Sequence, residues 1–145
     1  MKNSALMNMS CEKIMKSLEE AWKCLEEALE LLDKADWLPN AAEKAWIATE
    51  KAIRVLIMAS KKKAPELLES VIRELEKIEL EDKEVKKMNI LKRFLNRLIL
   101  LHGSCFYGGI CEPREEVIRL IVETKDLLYD VKRIIRERGL CFTDY

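Results

Sequence analysis

From Cys11 to Ile135 apolar side chains return at steps of three and four, and only four glycines and three prolines occur in the whole chain of 145 residues. Those steps are the period of an α-helix, and no segment alternates convincingly at the two-residue period of a strand. Cys11, Met15, Leu18, Trp22, Leu25, Leu29 and Leu32 trace the seam of a first helix, with Ser10 as its expected N-cap. A connector, Asp36–Asn40, leads to a second helix over about Ala41–Ser60, which Asn40 and Glu43 start as a capping box. Its seam is made of small residues, Ala42, Ala45, Thr49, Ala52, Leu56 and Ala59, so neighbours can approach closely and this helix is expected at the centre. Lys61–Lys63 close it with cations.

Pro65 suits the first turn of a third helix striped by Leu68, Val71 or Ile72, Leu75 and Ile78, and Asp82 is a candidate cap for the next. The fourth helix is expected over Lys83–His102, with one face of Val85, Met88, Leu91, Leu95, Leu98 and His102 and an adjoining face of Ile90, Phe94, Arg97 and Leu101. Gly103 is placed as its left-handed stop. Pro113 opens a fifth helix whose apolar face runs from Val117 to Ile135, and Gly139 ends it. The pattern predicts an all-α, up-and-down antiparallel bundle of about five helices. One domain is expected over 1–145, with a short N-terminal segment 1–9 and a docking C-terminal tail 139–145.

Charge narrows the function classes only a little. The 26 basic and 26 acidic residues cancel, so a nucleic-acid partner can be argued only from local clusters. Apolar runs such as Val55–Ala59 fall far short of the ~18 residues of a membrane span, and the N-terminus lacks the apolar core of a secretory signal. A cytoplasmic chain without a membrane partner is expected. Five cysteines in such a chain are ordinarily reduced. Glutamine is absent while Glu and Lys abound, a bias of hyperthermophiles, whose intracellular proteins do carry disulfides.

The stretch Arg97–Pro113 concentrates the unusual residues: the single histidine, two of the five cysteines and three of the four glycines. Cys105 and Cys111 are candidates for a disulfide closing a short loop, the alternatives being free thiols or, with His102 and Cys141, zinc ligands. The spacing lacks a paired C-x-x-C pattern, so no metal or cofactor is expected. Lys86, Lys87, Arg93, Arg133 and Arg136 are candidates for a phosphate-binding strip, with Phe106 and Tyr107 available to stack on bases. The structural alternative is a solvated outer face balanced by the acidic first helix.

The second helix, Pro39-Asn-Ala-Ala-Glu-Lys-Ala-Trp-Ile-Ala-Thr-Glu-Lys-Ala-Ile53, together with Leu101-His102, Phe106-Tyr107 and the acidic start at Glu112–Val117, resembles the archaeal PaREP-type family of HEPN-like helical bundles. The resemblance covers most of the chain, Trp22 to Ile135. It implies an antiparallel bundle, often a homodimer, that binds RNA or a nucleotide and in many HEPN proteins is a metal-independent endoribonuclease. The site it implies is an arginine and a histidine brought together across a dimer cleft. Arg97 and His102, with four residues between them, fit the spacing.

Such cleavage needs a group titrating near neutrality, which His102 offers, and a cation for the developing phosphorane, which Arg97 offers. On a regular helix five residues at ~100° each set the two side chains about 140° apart. They meet only if the helix opens at Gly103 or if each of two subunits contributes one. The structural alternative makes Arg97 a solvated or ion-paired surface residue and His102 a helix-end residue bonding last-turn carbonyls. The alternative function is a non-catalytic dimeric helical interaction or accessory module.

Overall fold

The computed structural model describes residues 2–34, 37–61 and 65–141, with side chains from residue 11 onward. Regular structure among them is entirely helical, as the periodicity requires. The first two helices are α1 (Lys2–Leu32) and α2 (Leu38–Lys61). α1 already runs at Lys2, so Ser10 lies inside it instead of capping it; no glycine or proline upstream interrupts the helix. Its buried line is Ile14, Leu18, Ala21, Leu25 and Ala28, while Met15 is 37% exposed. The helix is therefore rotated from the expected seam, because Ala21 and Ala28 bring its backbone close to α2. All six expected seam residues of α2 are buried, and Thr49 satisfies its hydroxyl by donating to the Ala45 carbonyl at 2.8 Å. Leu38 is buried and draws the chain into the helix early, so Asn40 falls within the first turn and caps nothing.

α2 is the centre of the molecule, touching α1 and most of the helices described below. α3 (Leu68–Glu81) buries Val71, Leu75 and Ile78, and Pro65 precedes it by three residues. Asp82 caps α4 (Lys83–Lys87), accepting from the Glu84 and Val85 amides at 3.0 and 3.3 Å. The expected fourth helix is not continuous. Asn89 adopts a left-handed φ of 55°, a conformation asparagine tolerates, and separates α4 from α5 (Ile90–Arg97). Glu79 of α3 caps α5 by accepting from the Leu91 amide at 3.1 Å.

α5 then passes into a π-helical segment, Leu98–Tyr107, whose bonds close i→i+5. Gly103 is thus not a stop: it lies inside this segment, held there by the buried Leu101 and Cys105 on either side. The stop comes later. Gly108 packs so tightly that a Cβ would stand 2.7 Å from the Ser104 carbonyl oxygen, and Gly109 has φ 69°.

The expected fifth helix is two, α6 (Arg114–Val122) and α7 (Thr124–Glu137), meeting at Glu123. Val117, Leu120, Ile121, Thr124, Leu127, Leu128, Val131, Ile134 and Ile135 are all buried, and Gly139 at φ 66° ends α7. Cys11 on α1 and Cys141 beyond α7 are joined by a disulfide, with Cα atoms 5.6 Å apart. Leu140 and Cys141 pack against the core. The rest of the tail (142–145), Asp36, Lys62 and Lys63 lie outside the described residues. No helix among the described residues is long and apolar enough to cross a membrane.

Candidate functional site

The π segment turns His102 toward α2, where Nδ1 lies 2.7 Å from Glu43 Oε1. A carboxylate at this distance holds a proton on Nδ1 and fixes the ring, so Nε2 is the chemically available nitrogen. Among the described residues Nε2 makes no hydrogen bond. Both side chains are part-buried, 28% and 18% exposed, so the pair is shielded yet reachable.

Aromatic rings surround it. Trp46, one turn after Glu43, lies with its ring centroid 5.6 Å from that of His102. The Tyr107 ring meets the imidazole edge-on at 4.8 Å, and Phe106 lies nearly parallel to it at 6.4 Å. Tyr107 is 74% exposed, an uncovered aromatic face beside an oriented imidazole. On the other side of Glu43 and Phe106 is an apolar slot of about 330 Å³, bounded also by Leu31, Trp37 and Ile47.

Arg97 faces elsewhere. It is 2% exposed, on a core stripe of Ile90, Phe94, Arg97, Leu101 and Cys105. Its Nε donates to Thr124 Oγ1 at 3.0 Å, Nη1 to the Arg93 carbonyl at 3.1 Å and Nη2 to the Leu120 carbonyl at 3.1 Å. It is therefore not the solvated or ion-paired arginine of the structural alternative. Burial, and behind it the charge of Arg93, lowers its pKa from the ordinary 12.5 to about 10, so it remains charged at neutral pH.

The i→i+5 turn sets positions 97 and 102 a little more than one turn apart, which narrows the 140° separation of a regular helix. The side chains still take different neighbours, α6 and α7 for Arg97 and α2 for His102. No hydrogen bond or ion pair among the described residues joins them.

The basic candidates gather at the far end of α5. Arg93 binds Asp130 at 2.7 Å and the Met88 carbonyl at 3.1 Å, and Arg133 reaches the Met88 sulfur at 3.6 Å. Lys86 and Lys87 precede Met88, and Arg136 follows Arg133 by one turn; all three are exposed. Lys87 is paired with Glu84 and Arg133 with Glu137, so the strip is partly neutralised. Tyr107 does not join it. Fourteen residues of helix separate Tyr107 from Arg93, roughly 20 Å along the axis.

Cys105 and Cys111 lie at disulfide distance, S–S 1.96 Å, closing the loop that carries Phe106 and Tyr107. Cys24 is a free thiol. Among the described residues no group of three or more His, Cys, Asp or Glu side chains is arranged to hold a metal ion.

Sequence reasoning missed Glu43, read as a helix cap, and the burial of Arg97. The signal for Arg97 was present, since it shares a face with Ile90, Phe94 and Leu101. Nothing local marks Glu43 as the partner of a histidine 59 residues away.

The model of the archaeal PaREP1/PaREP8 family matches residues 16–115 of this chain, a span that contains His102, Glu43 and both aromatic rings of the loop. No curated protein and no solved structure matches it.

Proposed function

We propose, for a chain that belongs to the archaeal PaREP1/PaREP8 family, that it binds single-stranded RNA or a nucleotide at the end of the π segment. The observation that carries this reading is the oriented, part-exposed His102–Glu43 pair beside the exposed ring of Tyr107. A base can stack on Tyr107 while its edge or sugar meets Nε2 of His102. A strand leaving this site along α5 would run toward the basic residues around Met88, roughly 20 Å away. The resemblance of the second helix and the His102 region supports a HEPN-like bundle paired as a homodimer, and we propose a cytoplasmic location for it.

In its catalytic form the reading is a metal-independent endoribonuclease, with His102 exchanging a proton with the 2′-hydroxyl and Glu43 orienting the ring. Arg97 assists only in a state where it has given up its three buried acceptors. Binding requires no such change and is the favoured form.

The test is the anisotropy of a labelled single-stranded RNA at low and moderate salt. The wild type should retain the RNA, and Tyr107→Ala should weaken it by roughly 5- to 150-fold, the equivalent of ~1–3 kcal/mol for one stacked base. The affinity should fall steeply with salt if the strip takes part. No retention at low salt removes the reading and leaves the non-catalytic helical module. Cleavage, if present, should be lost in His102→Ala; equal background in wild type and variant excludes the endoribonuclease.

A further inference from the structure

A second cavity, of about 410 Å³, opens between α5 and the α6–α7 junction, and buried Arg97 forms part of its wall. Arg97 bonds only neutral oxygens, and no carboxylate among the described residues pairs with it. A guanidinium has five N–H donors, so two remain beyond the three in use. Glu123 and Asp126 are near enough to favour its charge, yet neither is in direct contact with it. A buried cation with spare donors and no directly bonded counter-ion is a ready acceptor of an anion.

The rest of the wall fits that need in a selective way. Lys92 is exposed and has no acidic partner among the described residues, and Asn96 offers amide donors. Arg93 and Arg119 also line the cavity, each already holding carboxylates, Asp130 for the first and Glu116 and Glu123 for the second. One acid on the wall, Asp126, has no cationic partner among the described residues. A carboxylate repels a bare oxyanion but accepts a hydrogen bond from one that still carries a proton.

We infer that this cavity binds a protonated phosphate group, with Arg97 and Lys92 holding its charged oxygens and Asp126 accepting from its hydroxyl. Sulfate, the same size and shape, has no proton to give Asp126 at neutral pH. The inference does not rest on the His102 site, because His102 faces α2 and this cavity faces α6 and α7.

The test is calorimetric titration of the full chain with inorganic phosphate at about pH 5.5, below the second pKa of a phosphate monoester, with sulfate, which carries no proton there, and a nucleoside 5′-monophosphate in parallel arms. Phosphate should bind saturably and sulfate at least tenfold more weakly, the effect of one hydrogen bond to a charged group. Asp126→Asn should shrink that difference to less than threefold, and exposed Lys92→Ala should weaken phosphate about tenfold. Tighter binding of the monophosphate identifies a terminal phosphate as the ligand; equal or weaker binding identifies the free ion. No phosphate binding by folded wild type, equal affinity for sulfate, or a selectivity unchanged in Asp126→Asn overturns the inference.

Discussion

The guanidinium of Arg97 sits in the core without a directly bonded carboxylate, so its desolvation is a cost that three hydrogen bonds to neutral oxygens only partly offset. Replacing it by a residue of similar length and no charge should therefore be mild. Arg97→Met should keep stability within about 1 kcal/mol of wild type or raise it. Arg97→Ala leaves a cavity and should lose about 2–5 kcal/mol. Urea midpoints of the two variants check this; a methionine variant as unstable as the alanine one would mean that the hydrogen bonds hold α6 and α7 in place. At this scale the sequence is partly legible. The stripe Ile90, Phe94, Arg97, Leu101 points Arg97 inward, but a charged residue at a core position reads more readily as surface. Glu43 was less legible still, because its meaning comes from a residue far along the chain.

The π segment is the element that sets the candidate site, and its glycines have unequal duties. A Cβ on Gly103 would meet the Leu98 carbonyl oxygen at 3.4 Å, an ordinary contact, and alanine favours helix over glycine by about 1 kcal/mol. Gly103→Ala should therefore change stability by less than about 1 kcal/mol. Gly108→Ala, with its Cβ 2.7 Å from a backbone oxygen, should cost about 1–3 kcal/mol by overpacking. Thermal melts of the two variants decide it. A large loss at Gly103 instead would return the helix stop to that residue. Glycine spacing cannot show this difference from sequence, because Gly103 and Gly109 are equally good left-handed stops by composition. By contrast, the α2 alanines and the Asp82 cap were readable, since their signals are local: a 3.6-residue stripe of small side chains, and an aspartate before a new helical run.

For the whole molecule, the Cys11–Cys141 bond closes nearly the entire chain into one loop, its ends 130 positions apart in the sequence. Chain entropy for a loop of that length gives about 5 kcal/mol, and measured bridges commonly give 2–4. Cys141→Ser should lower unfolding stability by about 2–5 kcal/mol relative to the oxidised wild type. A denaturation curve for Cys141→Ser that matches the oxidised wild type would show that the bridge contributes nothing. Neither terminal cysteine stood out in the sequence as half of a bridge, because pairing is a property of the folded topology. The helical class and the central place of α2 were legible throughout. The division of the long fourth and fifth helices at Asn89 and Glu123 was not, since each break occurs within an unbroken apolar pattern. The chain contains one histidine, so its ring protons give a single resonance set that reports on the candidate site without assignment by mutation. A proton NMR titration with short single-stranded RNA is thus the most direct measurement: the account predicts a saturable shift of the His102 ring signals, and signals that stay fixed while RNA is added in excess would contradict it.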